Sequence, residues 1–305
     1  MASFLLDEAD GFGKPVKVIL PAHVNIEEDQ LLSFAAFRDW ISTLKENLKL
    51  QKTTADHPFR DDPYRLLSIE IQSVDFFGRE KIGFLKLKAT LENKAKSTLP
   101  GIAFLRGGSV AVLMILRAKN YSDERYVVLT EQPRVPAGSL QFLEIPAGML
   151  DGETGFSGKA AQEIEEETGI TIPKDELINM TELALKESEV RDTSLKAAMY
   201  PSPGGSDEFI PVFLWEKEFD IQEIERLRGK LAGERKQGEM ITLRVVEYEK
   251  LWREGARDAK TLAAWALYEG LSKAGILQKV QESRKRELSS NSSQENGDSV
   301  KKQKI

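Results

Sequence analysis

The chain has 305 residues, with 49 acidic against 43 basic side chains, a formal charge of −6, 41% hydrophobic and 30% charged residues, two histidines and no cysteine. That length allows one large domain or two with real cores, and no segment approaches the roughly 20 apolar residues that span a bilayer, so a soluble globular protein without a membrane partner is expected. The acidic balance lacks the footprint of a general nucleic-acid binder, and the absence of cysteine excludes disulfides, thiolate nucleophiles and cysteine-held zinc; with His23 and His57 isolated, chemistry falls to carboxylates, Lys, Arg, Ser and a hard metal with oxygen ligands.

The opening residues 1–14 carry Asp7, Glu8 and Asp10, unlike a basic secretory signal or an acid-poor transit peptide, so no targeting segment is expected and the sequence reads as cytoplasmic. Residues 30–48 place Leu31, Leu32, Phe34, Phe37, Trp40, Ile41, Leu44 and Leu48 mostly three and four apart, which predicts an amphipathic helix with Trp40 in the core. From Leu66 the period changes to two: LLSIEIQSVDFF and KIGFLKLKATLEN flank Gly78-Arg79-Glu80, which predicts two strands and a turn. These pieces form a small α+β N-terminal domain over residues 15–100.

A second strand-rich block follows, with strands beginning at Ser109 (SVAVLMILRA) and Glu124 (ERYVVLTEQ) and a third, LQFLEIPAG, leading to Gly148. A helix is predicted near 158–168, then a strand in FIPVFLWEKEF, a helix over 221–231 and a strand from Met240. A last helix follows Asp258 as N-cap, with Ala264, Leu267, Tyr268 and Leu271 as its apolar stripe. Residues 281–305 contain no aromatic and three aliphatic side chains, too few to offset chain entropy, so a disordered tail is expected. Its Arg284-Lys285-Arg286 and Lys301, Lys302 and Lys304 clusters read as solvated charge, with a nuclear address as the alternative.

The stretch from Gly148 to Ile170 carries the chemistry. A strand ends in a glycine-rich turn, a helix follows, and Gly169 stands where a helix C-terminal glycine belongs. At about 100° per residue, Glu163, Glu166 and Glu167 share one arc of the helix while Glu165 points elsewhere. Like charges so placed destabilise a helix unless a divalent cation coordinates their oxygens.

With these residues the sequence resembles the Nudix hydrolase family. That family's box runs Gly, five residues, Glu, seven residues, Arg-Glu, an aliphatic residue, any residue, Glu-Glu, any residue, Gly, aliphatic. Gly148, Glu163, Ile164, Glu166, Glu167, Gly169 and Ile170 match in register, while Thr154 stands at the first Glu, beside Glu153, and Gln162 at the Arg. The resemblance is closest to the ADP-ribose and ADP-sugar pyrophosphatase branch, including plant members that cleave ADP-glucose. Glu131-Gln132-Pro133-Arg134, Glu144-Ile145-Pro146-Ala147-Gly148, Ser202-Pro203-Gly204-Gly205-Ser206-Asp207-Glu208 and Gly238-Glu239-Met240 carry it.

The resemblance implies a C-terminal α/β/α Nudix sandwich with a mixed sheet over residues 101–277, and a homodimer supported by the front domain. It implies Mg2+, or Mn2+, held by Glu163, Glu167, Glu239 and the carbonyl of Ala147, with Glu166 and Glu239 as catalytic carboxylates. Arg134 would clamp phosphate, and Met149, Ser202 and Glu208 would contact substrate. Glu234 is the reserve for Glu239, because Gln237 occupies the place of a second loop Glu. The implied reaction is ADP-sugar plus water to AMP plus sugar phosphate, with ADP-ribose and ADP-glucose as leading substrates. Two alternatives stay open: the same fold acting on another nucleoside diphosphate derivative, and, given Thr154, Gln162 and Gln237, a non-catalytic nucleotide-binding module. For localisation, the resemblance adds the plastid as an alternative to the cytoplasm.

Overall fold

The computed structural model describes every residue except 1, 7–13, 22, 24–25, 122, 151–154, 187, 189–193, 234–239 and 287–305. The front unit contains β1 (Ala2–Leu6), β2 (Val16–Leu20), α1 (Glu28–Ser33), α2 (Ala35–Thr53), β3 (Arg65–Phe77), β4 (Lys81–Glu92), β5 (Thr98–Leu99) and β6 (Ile102–Leu105). Their sheet runs β1-β2-β3-β4, with β5 and β6 both on β4, and only the β2–β3 pairing is parallel. The period-two reading of β3 and β4 holds because one face of each is buried: Ile69, Ile71, Leu85 and Leu87 pack with Leu31 and Phe37 of the two helices.

The single helix expected over 30–48 is two. Phe34 has an extended backbone (ψ 115°) and ends α1 while starting α2. The break lets Leu31 and Phe37, both fully buried, enter the same core from differently directed helices, while Trp40 packs partly buried beside Phe37.

The second unit adds β7 (Ser109–Ala118), β8 (Arg125–Arg134), β9 (Ser139–Glu144), β10 (Ala147–Met149), α3 (Phe156–Thr168), β11 (Ile178–Asn179), α4 (Met180–Leu185), β12 (Val212–Phe219), α5 (Ile221–Leu227), β13 (Leu231–Ala232), β14 (Ile241–Glu247), α6 (Leu251–Glu254) and α7 (Ala259–Lys273). The sheet order is β11-β12-β7-β8-β14-β13, with β10 on β7 and β9 on β8. It is mixed: β12 runs parallel to β7, and the other pairs are antiparallel. β7 is apolar almost throughout because both of its faces are covered. Val110, Val112 and Met114 face Ala160 and Ile164 of α3 and Ile224 of α5, while Ala111, Leu113 and Ile115 face Ala264, Tyr268 and Leu271 of α7. The α/β/α sandwich with a mixed sheet is therefore the observed architecture.

Several boundaries differ from the sequence reading, including the start of the front unit, since β1 at Ala2–Leu6 already pairs with β2. β6 hydrogen-bonds to β4 through Leu105, so the joint between units falls at Arg106-Gly107 instead of after Pro100. Helix α5 stops at Leu227 because Arg228 is extended and Gly229 is left-handed (φ 71°), which turns the chain toward β14. Residues 276–286 are helical, so six residues of the stretch expected to be disordered from 281 are ordered, and Arg284 donates to the carbonyls of Glu176 and Leu177. No helix among the described residues is long and apolar enough to cross a membrane.

The units are clamped by the 202–208 loop. Phe104 N–H donates to the Gly205 carbonyl at 2.8 Å, and the Asp207 carboxylate accepts the amides of Arg106 (2.8 Å) and Gly107 (3.1 Å). Burial pushes the Asp207 carboxyl up to about 6, against the lowering effect of those amide bonds. Asp207→Ala leaves two amides without their acceptor, and is expected to lower the unfolding free energy by about 2 kcal/mol or more in urea titrations. An unchanged midpoint would show that the clamp contributes nothing.

Candidate active site

The site grows from three residues of strand. β10 pairs with the start of β7, with Ala147 opposite Ala111 and Met149 opposite Ser109. Helix α3 lies over this edge, anchored by the fully buried Ala160 and Ile164. It ends as the sequence predicts: Gly169 is left-handed (φ 68°), its amide bonds to the Glu165 carbonyl, and Lys230 covers the Thr168 carbonyl.

Glycine at 148 is a steric requirement. A Cβ built there would overlap the carboxyl group of Glu163, so this side chain is seated directly on the strand backbone. Lys159, one turn earlier, places its ammonium 2.7 Å from the Glu163 carboxylate, and both side chains are largely buried, at 11% and 15% exposure. Glu167 is buried outright: one oxygen accepts the Ala147 amide at 3.0 Å and the other the Gln132 side-chain amide at 3.1 Å. Burial pushes its carboxyl up to about 8, opposed by the bonds from Gln132 and Ala147 and reinforced by the nearby charge of Glu144. Glu166 is partly exposed and accepts from Gln162 at 2.8 Å, so the residue standing at the box Arg position holds it as a neutral donor.

Upstream, the Arg134 Nε donates to Glu144 at 2.7 Å. Glu144 is 2% exposed, and its second oxygen lies 2.7 Å from Lys260, which also meets Asp258 at 2.9 Å. Burial works against the Lys260 charge, but the carboxylates of Glu144 and Asp258 outweigh it and raise its pKa. Asp258 is the N-cap of α7, as expected from sequence, accepting the amides of Lys260 and Thr261.

The other candidates lie at the far end of β10. Met149 lines a cavity of about 880 Å³ between the two units, together with Trp40, Arg106, Tyr200 and Asp207. Glu208 accepts from the Ser109 hydroxyl at 3.1 Å and sits 3.2 Å from Arg106. Ser202 is exposed, and its carbonyl closes the loop by accepting the amides of Gly205 and Ser206. Ala147, which holds Glu167, and Met149, opposite the Ser109 that holds Glu208, are two strand residues apart, about 7 Å. One short strand thus links the carboxylate end of the site to the cavity end. Glu239, Glu234 and Gln237, like Thr154 and Glu153, lie outside the described residues.

These donors suit a hard divalent cation. Glu163, Glu166 and Glu167 offer oxygen ligands, Lys159 marks a place where positive charge is favoured, and the bare backbone of Gly148 makes room for the Glu163 carboxylate. Among the described residues no three acidic side chains converge tightly enough to grip an ion in their present rotamers.

Sequence reading missed Lys159, Gln132, Glu144 and Lys260. The i,i+4 spacing of Lys159 and Glu163 was legible. Nothing in the sequence brings Gln132 to a helix 35 residues later or Lys260 to a strand 116 residues earlier.

The family model for the NUDIX domain matches residues 106–265. The Nudix hydrolase 14, chloroplastic, of Arabidopsis thaliana is 38% identical over 267 residues, covering 87% of this chain and 80% of that protein. The ADP-ribose pyrophosphatase of Bacillus subtilis (strain 168) is 33% identical over 116 residues, 38% of this chain and 49% of that protein. A crystal structure described as an ADP compounds hydrolase aligns at 13% identity with a TM-score of 0.46, over 70% of this chain and 96% of that one.

The raised Glu167 pKa has a signed consequence. The folded chain keeps this proton to about pH 8, whereas a carboxyl at the ordinary value releases it near 4.5. The folded state therefore binds the extra proton between those limits, and this contribution to stability is lost as pH rises through the window. In metal-free buffer the melting temperature of Glu167→Gln is expected to decline less than that of the wild type from about pH 5 to about 8. Parallel curves in thermal melts would show that Glu167 ionises normally in the fold.

Proposed function

Since this chain belongs to the NUDIX domain family and is a Nudix hydrolase, we propose that it hydrolyses the pyrophosphate of ADP-sugars, ADP-ribose and ADP-glucose foremost, to AMP and a sugar phosphate. The observation that carries this reading is the seating of Glu163 on Gly148 beside the buried Glu167, with Arg134 held by Glu144 on the strand leading into that turn. The Bacillus subtilis relative, an ADP-ribose pyrophosphatase, supports the substrate class.

Nudix hydrolases generally use divalent metal ions. Here Glu163, Glu167 and the Ala147 carbonyl, joined by Glu239, are proposed to hold Mg2+, with Mn2+ as a substitute. When bound, the cation supplies neutralisation of the pyrophosphate charge and eases deprotonation of the attacking water. The chain's own residues do the rest. Arg134 presents guanidinium N–H donors to phosphate oxygens. Glu166, released from Gln162, or Glu239 accepts the proton of the attacking water. Met149, Ser202 and Glu208 bound the non-reacting half of the substrate, and the cavity between the units is large enough to shelter a nucleoside or sugar from water.

A homodimer supported by the front domain is part of the proposal. The name of the Arabidopsis relative, which is chloroplastic, supports the plastid over the cytoplasm.

The test is turnover by the full chain of ADP-ribose, ADP-glucose, UDP-glucose and NAD, with and without magnesium. Expected are AMP and sugar phosphate from the two ADP-sugars, only with the metal, and loss of at least about a hundredfold in rate in Glu167→Gln, since even outer-shell changes at metal sites cost 10–100-fold. Preference for UDP-glucose would move the reading to another nucleoside diphosphate derivative. Near-normal rates in Glu167→Gln would remove the carboxylate site.

A further inference from the structure

We propose that Lys260, on the first turn of α7, is a positioning residue that keeps Arg134 available to substrate phosphate by taking half of the Glu144 carboxylate. This rests on the reading of Arg134 as the phosphate clamp.

Glu144 is 2% exposed, so its charge requires compensation inside the fold. Left to Arg134 alone, a buried carboxylate favours the two-point fork that engages both the charge and the paired donors of a guanidinium. Instead, among the described residues, Arg134 meets Glu144 through Nε at one oxygen, while Lys260 meets the other oxygen at 2.7 Å. Lys260 is itself shared with Asp258 at 2.9 Å. Charges therefore alternate along Arg134, Glu144, Lys260 and Asp258, two of each sign, with the 40%-exposed Arg134 at the open end.

The ammonium cannot simply follow Arg134, because its place is set by the helix cap. The Asp258 carboxylate accepts the Lys260 and Thr261 amides and the Thr261 hydroxyl (2.7 Å). That hydroxyl accepts the amide of Ile145, next to Glu144, at 3.1 Å. A closed ring of bonds thus ties the start of α7 to the strand entering the Gly148 turn, and it delivers a fixed positive charge to the back of Glu144. Without that charge Glu144 would draw Arg134 fully onto itself and away from the site.

The test is calorimetric binding of inorganic pyrophosphate in magnesium buffer to the full-length wild type, Arg134→Gln, Lys260→Met and the double variant, with ADP-ribose turnover measured beside it. Each single change is expected to weaken binding about tenfold, the size of one charge-assisted hydrogen bond, and the double variant no further than Arg134→Gln. Asp258→Asn keeps a good N-cap but turns Lys260 wholly toward Glu144, so its pyrophosphate affinity is expected to equal or exceed the wild type. It gives a second reading if Lys260→Met fails to fold. A Lys260→Met loss that recurs in full in the Arg134→Gln background, no loss at all, or weaker binding in Asp258→Asn would each overturn the proposal. If Arg134→Gln binds normally, the clamp falls and Lys260 with it; if pyrophosphate binding follows the expected cycle while ADP-ribose is not consumed, the substrate reading alone fails.

Discussion

A carboxylate without water is the constraint around which this fold is organised. Glu167 lies between α3 and the sheet edge, where its charged form is disfavoured and its two oxygens depend on one backbone amide and one glutamine side chain. Meeting that requirement places the end of α3 against both β8, through Gln132, and β10, through Ala147. The same approach presses Glu163 onto Gly148, which is why that position has no room for a side chain. Helix placement and the glycine of the turn therefore meet in one packing problem, in which two carboxyl groups must be held close to backbone.

The second buried carboxylate, Glu144, is handled differently. Instead of being left with neutral donors it is placed between two cations from different parts of the chain, one from the adjacent strand and one from α7. The contrast follows from what each group borders. Glu167 borders a set of oxygens suited to a divalent cation, which would supply its missing positive charge, whereas Glu144 borders Arg134 and the cap of α7. Buried ion pairs of this kind contribute little net stability against an apolar alternative, and their value lies in fixed geometry.

The joint between the units shows how a loop that reads as substrate-contacting can also carry structure. In SPGGSDE, the aspartate accepts two amides across the interdomain joint, the serine carbonyl closes the turn, and the glutamate is bound to Arg106 and Ser109. Only Glu208 and Ser202 were singled out from sequence, because Pro-Gly-Gly signals a turn without saying what the turn grips. The same loop lines the cavity between the units through Pro203, Gly204, Gly205, Ser206 and Asp207.

Local chemistry was enough to determine the strands of period two, the apolar run of β7, the N-cap at Asp258 and the left-handed Gly169. Each depends on residues within a few positions of one another, where geometry follows directly from chain periodicity. The break at Phe34, the joint at Arg106-Gly107 and the long-range partners Gln132, Glu144 and Lys260 were decided elsewhere. They depend on which distant surfaces must be buried together and on which charges then lack water. A sequence records the carboxylates, but only the packed chain determines which cations and amides they are forced to share.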